Sequence, residues 1–131
     1  MRLLLALAVV CVLPSVAFTQ ETVSYRVVAT NKTSTMQKEM QEAGEAGFRF
    51  AAVMGGETAF GGKEVVAVMQ RTPSSTQKFE YRLLATNKTS TMQKELQEAG
   101  DQGFKFVGFT VSKTAFGGKE IVSILRKEIA N

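Results

Sequence analysis

The chain has 131 residues with 16 basic and 12 acidic side chains, one cysteine, and neither histidine nor tryptophan. The missing histidine excludes Ser/His and Cys/His nucleophilic systems, and a single cysteine cannot form the common zinc sites. The net charge of +4 is spread along the chain without a Lys/Arg block, so no nucleic-acid or membrane surface is indicated.

The N-terminus predicts a cleaved signal peptide over residues 1–19. Arg2 gives it a basic start, an apolar run continues to Leu13, and Pro14 ends the run before several small residues. The run is too short to span a bilayer as a helix. We therefore expect a secreted or periplasmic protein with no stable membrane span after cleavage. Because Cys11 lies in the leader, the mature chain would contain no thiol.

The rest of the sequence is a tandem repeat. Residues 25–71 align without gaps on residues 81–127 at a shift of 56 (81 − 25), and 28 of the 47 paired positions are identical. The polar, proline-containing stretch 73–78 is predicted to be a linker. These observations divide the mature chain into repeat 1 (20–72) and repeat 2 (79–131).

Each repeat is predicted to begin with a strand and a helix. Residues 23–29 alternate apolar and polar side chains, which is typical of a strand with one buried face. Ser34 and Gln37 have the spacing of a capping box at a helix start. Met36 and Met40 then fall on one helical face. The same pattern recurs in repeat 2, 56 residues later.

A glycine ends each predicted helix, and two strands complete the repeat. Gly47 and Gly103 suit the left-handed backbone position that follows a helix. In repeat 1, strands are predicted over 48–54 and 64–70, and the glycines of TAFGG predict a hairpin between them. The repeating unit is therefore strand, helix, strand, strand.

This pattern predicts an α+β fold of two tandem βαββ repeats, each with an antiparallel sheet and one helix. The third strand has apolar residues on both faces, so it is predicted to be the middle strand, covered on both sides, in the order 1-3-2. A unit of about 50 residues buries too little surface to be comfortable alone. We therefore expect the two repeats to pack on each other as a pseudo-dimer.

The helix ends also carry a family resemblance. The stretches MQEAGEAGFRFA (40–51) and LQEAGDQGFKFV (96–107) are similar to a signature of small bacterial domains of unknown function. In that family a Leu, two glycines and an aromatic residue lead into the second strand. Here the aromatic residue is Phe48 or Phe104 where the family is expected to have Trp, and a basic residue follows rather than an acid. The resemblance implies a βαββ unit, present here in two tandem copies, and no activity.

The longest matches between the copies are in their loops. ATNKTSTMQKE (29–39) recurs at 85–95, and TAFGGKE (58–64) recurs at 114–120. In the predicted topology both loops lie at the same end of the unit. Recent duplication, or the turn and cap chemistry of Asn, Ser, Thr and Gly, explains part of this identity. These explanations account less well for the repeated lysines and phenylalanines.

A binding surface at this end of each unit is the hypothesis that competes with that structural explanation. Helix-start N–H groups, lysines and hydroxyls would suit a carboxylate, phosphate or sulfate, and a protein is the other partner considered. The candidate binding residues are Asn31, Lys32, Thr33, Ser34, Thr35, Phe60 and Lys63, with their counterparts Asn87, Lys88, Thr89, Ser90, Thr91, Phe116 and Lys119.

Taken together, these patterns predict a non-catalytic binding or interaction module without a cofactor or metal, and not an enzyme. The GGK of the hairpin lacks the spacing of a phosphate loop, because position 57 is Glu and another Glu follows the lysine. Glu39 and Glu42 are neighbours on a helix surface, which usually means a solvated face. The alternative is a purely structural duplicated domain that associates with itself.

Overall fold

The computed structural model of the protein describes residues 10–15, 20–57, 63–113 and 118–130. Residues 10–15 have no regular secondary structure; most of the predicted leader lies outside the described residues, as do Phe60 and Phe116. The elements are β1 (Ser24–Thr30), α1 (Thr33–Glu45), β2 (Arg49–Glu57), β3 (Lys63–Arg71), β4 (Lys78–Thr86), α2 (Thr89–Asp101), β5 (Lys105–Lys113) and β6 (Lys119–Ile129). The predicted order of strand, helix, strand, strand therefore occurs twice.

The strands form two antiparallel three-stranded sheets. Sheet A has the order β1-β3-β2, and sheet B has the order β4-β6-β5. The predicted α+β class and the 1-3-2 strand order are confirmed. The second strand of each repeat carries a bulge, at Ala51 and Val107, where one extra residue opposes the middle strand.

Each helix ends as its glycine predicts. Gly47 and Gly103 have φ angles of 86° and 89°. The next residue in repeat 1, Phe48, donates its N–H back into the last turn of α1 and is buried. The guanidinium groups of Arg26 and Arg71 both lie over its ring, at 4.6 and 4.7 Å from the ring centroid. These contacts fix where the chain turns from helix to strand.

One hydrophobic core crosses the linker. Its buried residues are Val28, Met36, Met40, Ala43, Phe48, Val65, Ala67 and Met69 from repeat 1, with Phe79, Tyr81 and Ile124 from repeat 2. The inner face of sheet A, defined by Val28, Val65, Ala67 and Met69, therefore faces α1 and sheet B. Helix α1 packs against β4 as well as β1, and β2 packs against β5.

Helix α2 lies on the opposite face of sheet B. A smaller cluster of Ala99, Phe104 and Leu125 joins it to the sheet. Helix α2 contacts β4 and β5 but, within the described residues, makes no contact with β1 comparable to that of α1 with β4. Two helices of almost identical sequence therefore have different surroundings, since α1 packs against both sheets and α2 against one.

The two middle strands differ for the same reason. Residues 122–125 of β6 are all buried, because sheet B is covered on both faces at its middle strand. Over residues 64–71 of β3, Val65, Ala67 and Met69 are buried, and the residues between them are partly exposed. The prediction that the middle strand is covered on both sides is correct for β6. It is wrong for β3, because no layer of the described chain covers the outer face of sheet A.

Candidate functional site

The strand register brings the start of each helix and the residues that flank the hairpin to one end of each unit. Thr30, at the end of β1, is opposite Val65 of β3, and Gly55 near the end of β2 is opposite the same residue. The start of α1 and the residues flanking the hairpin therefore lie at the same edge of sheet A. The matching register in sheet B pairs Thr86 and Val111 with Ile121.

The helix starts differ from the predicted capping box. Helix α1 begins at Thr33 after an extended Lys32, and no side chain caps it. Instead, the Oγ of Thr30 accepts a hydrogen bond from the Lys32 N–H over 3.1 Å. The helix therefore starts two residues earlier than a cap at Ser34 would place it, which leaves Ser34 inside the first turn. The predicted cap by Ser34 is wrong, and the backbone N–H groups without a helical acceptor are those of Thr33, Ser34 and Thr35.

Most of the predicted site residues are solvent-facing. The exposed ones are Asn31, Lys32, Ser34, Asn87, Lys88, Thr89, Ser90 and Lys119, and the half-buried ones are Thr33, Thr35 and Thr91. Lys63 contributes the first residue of β3. In repeat 1 the loop at 30–33 lines a narrow cleft with Ser112 and Val122 of repeat 2. The two predicted sites therefore have different neighbours.

The described residues bring no metal-binding cluster together. No group of three or more Asp, Glu, His or Cys side chains within them could hold a metal ion. None of the helices in the described part is both long and apolar enough to cross a membrane.

An open groove of about 640 Å³ lies at the other end of repeat 1, between the linker and the end of α1. Arg71 lines this groove, but its guanidinium already donates to the Ala46 carbonyl over 2.9 Å and lies against the Phe48 ring. The Arg71 guanidinium is therefore committed to the fold, and the other basic residue that lines the groove, Lys78, is exposed.

The most specific polar contacts join α1 to β4. The Gln37 side chain donates to the Tyr81 carbonyl and accepts from the Leu83 N–H, both over 2.7 Å. Gln41 accepts from the Tyr81 N–H over 3.0 Å. These three bonds pair backbone groups on the outer edge of β4, which is an edge strand of sheet B. The glutamines thereby bind one repeat to the other.

Tyr81 completes this contact between the repeats. Its side chain is only 2% exposed, and its hydroxyl donates to the Phe48 carbonyl over 3.1 Å while accepting from the Phe50 N–H over 2.6 Å. Burial raises the pKa of the Tyr81 phenol, and the Phe50 N–H and the positive charge of Arg126 act in the opposite direction. The phenol therefore stays protonated and can donate.

A glycine allows α1 to approach β4 this closely. A Cβ at Gly44 would collide with the Phe79 carbonyl and lie 2.9 Å from the Tyr81 ring. At the equivalent residue of α2, Gly100, no described atom from outside that helix lies within 4 Å of the same position. Glycine is thus sterically required at position 44, whereas the structure leaves room for a larger side chain at position 100.

The outer face of sheet A is apolar and uncovered. Residues paired across an antiparallel ladder share a face, which places Tyr25, Val27 and Met54 together with Val66 and Val68. Tyr25, Val27 and Met54 are 65%, 62% and 59% exposed. Their counterparts in sheet B form the face that contacts α1 and sheet A. This face is the strongest candidate binding surface in the described chain.

Comparisons with protein-family models, with curated proteins and with solved structures gave no match to the chain.

The residues that make the contact between the repeats were not predicted from the sequence. Gln37 was assigned to a capping box, and neither Gln41 nor Tyr81 was selected. A signal was present, because Gln, Gln and Gly recur at the same helical positions in both copies, and so does the tyrosine of the first strand. Such spacing puts the three helix residues on one face, but it does not identify the strand that they meet.

Proposed function

We propose that the protein is an exported, non-catalytic interaction module that binds a protein partner through the outer face of sheet A. The observation that carries this proposal is the group formed by Tyr25, Val27 and Met54, three large apolar side chains exposed on one sheet face. An uncovered face of an antiparallel sheet is usually polar, and a contiguous apolar patch marks an interaction surface.

The proposal includes no enzymatic role because the chain lacks the residues of the common nucleophilic systems. The chain has no histidine, and its one cysteine, Cys11, lies in the predicted leader. The proposal includes neither a cofactor nor a metal. Export is supported by the basic start, the apolar run and the small residues before position 20. N-terminal sequencing of the protein recovered outside the cytoplasm should give a start near residue 20, and an intact Met1 would contradict cleavage.

We also propose that the two repeats form a head-to-tail pseudo-dimer. The core shared across the linker supports this, and so do the glutamine contacts of α1 with β4. A two-fold relation would require α2 to contact β1 in the same way. The βαββ order and the glycines that end the helices support the proposed relationship to the small bacterial domain family.

A photo-cross-linking residue at Val27 tests the proposed surface in the producing cells. Cross-linked products should form at Val27 and should be absent at Glu42, an exposed position on α1 that serves as the matched control. Both positions are exposed, so a difference in cross-linking yield between them would come from a bound partner and not from exposure. If Val27 gives no more product than Glu42, the outer face of sheet A is not an interaction surface.

A small-anion site at the loop end is the second candidate function. It is favoured by the register, which brings the start of each helix and the residues flanking the hairpin to one edge. Lys88 and Lys119 are both exposed there. Sulfate binding to the mature protein should weaken with added sodium chloride and on Lys88→Ala, with a stability change below about 1 kcal/mol. Unchanged binding in the variant would contradict this site.

A further inference from the structure

We propose that the partner of the outer face of sheet A is a second copy of this chain, bound head to tail. This inference rests on the proposed function and identifies the occupant of the same surface. In it, β1 of one copy (Ser24–Thr30) lies against α2 of the next copy (Thr89–Asp101). The contact would repeat between chains the packing that α1 and β4 make within one chain.

The strand side of this contact already exists in each chain. At the shift of 56 residues, Tyr25 and Val27 correspond to Tyr81 and Leu83, the residues of β4 that bind the glutamines of α1. β1, like β4, is an edge strand of its sheet. Within the described chain no side chain bonds to the outer edge of β1. One strand edge is therefore covered, and its equivalent is open.

The helix side also exists and is also open. Gln93, Gln97 and Gly100 correspond to Gln37, Gln41 and Gly44. In α1 these residues bind and closely approach β4, whereas Gln93, Gln97 and Gly100 are all exposed. Glycine destabilises a helix relative to alanine. At Gly100 that cost has no compensating contact until a strand such as β1 approaches.

The exposed apolar residues fall on these two sides. Outside the segment 10–15, the large apolar side chains exposed in the described chain are Val23, Tyr25, Val27, Met54, Phe106, Phe109 and Val111. The first four lie at the start of β1 or on the outer face of sheet A. The last three lie on β5, on the face of sheet B that carries α2, because their register partners include Leu125 and Ile121. Head-to-tail contact would cover both groups together.

The contact cannot be an exact copy of the internal one. Val111 occupies the position that corresponds to Gly55, where a Cβ would lie 2.5 Å from the Thr110 Oγ. Ala52 likewise corresponds to Gly108, where a Cβ would lie 3.0 Å from the Phe50 ring. The two sheets of neighbouring copies must therefore stand farther apart than sheets A and B do. We expect the glutamine and glycine side of α2 to set the register.

This interface joins two different surfaces, so each bound copy still presents one free strand side and one free helix side. Such heterologous contacts extend into rings or filaments and do not stop at a dimer. Sedimentation velocity of the mature protein, from micromolar to millimolar concentration, should show species larger than a dimer growing with concentration. A protein that remains monomeric throughout would overturn the inference, and so would one that stops at a dimer.

A glycine variant separates assembly from folding. Gly100→Ala should keep or raise the thermal stability of the monomer, because alanine favours the helix, yet weaken association by about tenfold or more by blocking the approach of β1. The matched control is Glu98→Ala on the same helix, since its counterpart Glu42 stays exposed in α1. Equal association of the two variants would contradict the proposed register.

Mixing tests the two-sided contact directly. Val27→Asp should weaken the strand side and Gly100→Ala the helix side, so each variant alone should be monomeric at a concentration where the wild type assembles and tenfold weaker binding does not suffice. Together they should form a one-to-one complex that does not grow, because one intact side of each kind remains. Failure to form that complex would overturn head-to-tail binding. If the protein stays monomeric while Val27 still cross-links to another protein in cells, the second copy is wrong as the partner and the interaction module stands.

Discussion

Replacing Tyr81 by phenylalanine isolates the polar bond that joins the two repeats. The change removes one hydroxyl, which donates to the Phe48 carbonyl and accepts from the Phe50 N–H, and leaves the buried ring in place. A hydrogen bond contributes about 1 kcal/mol, and a partner left unsatisfied in a buried site costs about 1–3 kcal/mol. Because two backbone groups lose their partner, we expect Tyr81→Phe to lower the free energy of unfolding by about 2–3 kcal/mol.

The matched control is Tyr25→Phe, at the equivalent position of repeat 1. Tyr25 is 65% exposed, so its loss should change stability by less than about 0.5 kcal/mol. Urea unfolding followed by circular dichroism gives both values from the shift in midpoint at constant slope. Equal costs for the two variants would show that the Tyr81 hydroxyl does not hold the repeats together.

Three further predictions follow from the same contacts. Because burial raises the pKa of Tyr81 above its ordinary value near 10, the unfolded chain loses this phenol proton at lower pH than the folded chain. The protonated phenol should therefore contribute its full stabilisation of the folded state below about pH 10 and lose it as the pH rises further. The unfolding free energy of Tyr81→Phe should accordingly decrease less steeply with alkaline pH than that of the wild type. Gly44→Ala should lower the melting temperature despite the higher helix propensity of alanine, since its Cβ would meet the Phe79 carbonyl; a rise would contradict the close approach. Thr30→Ala should cost about 1 kcal/mol in urea unfolding and Ser34→Ala less than about 0.5, and the reverse order would restore the capping box.

Local sequence predicted the elements and the strand order well, because those depend on periodicity and on glycine. The alternation around Val28, the Met36 and Met40 spacing and Gly47 each have a direct structural counterpart. The capping box failed because Thr30 already bonds to the backbone after β1, so the helix starts before Ser34 takes the cap position. Competing hydrogen bonds of this kind cannot be ranked from spacing alone.

The packing of the helices could not be predicted in this way. Helices α1 and α2 share the same seven residues over 33–39 and 89–95, and both carry the Gln, Gln, Gly pattern. Two segments with the same local pattern receive the same prediction. The pattern therefore cannot show that one helix contacts β4 while the glutamines of the other remain exposed. That difference comes from tertiary contacts, and it determines that the outer face of sheet A is uncovered while the equivalent face of sheet B is buried.

The unequal surroundings of two near-identical helices also make the chain its own spectroscopic reference. In amide NMR, residues 31–37 and 87–93 have the same sequence neighbours, so a difference in chemical shift between paired amides reports tertiary environment rather than residue type. Hydrogen exchange should show the same asymmetry, because amides in α1 would open only with the shared core while those in α2 could open with their own smaller cluster. Protection that becomes equal in the two helices as concentration rises would be a direct readout of α2 acquiring the neighbour that α1 already has.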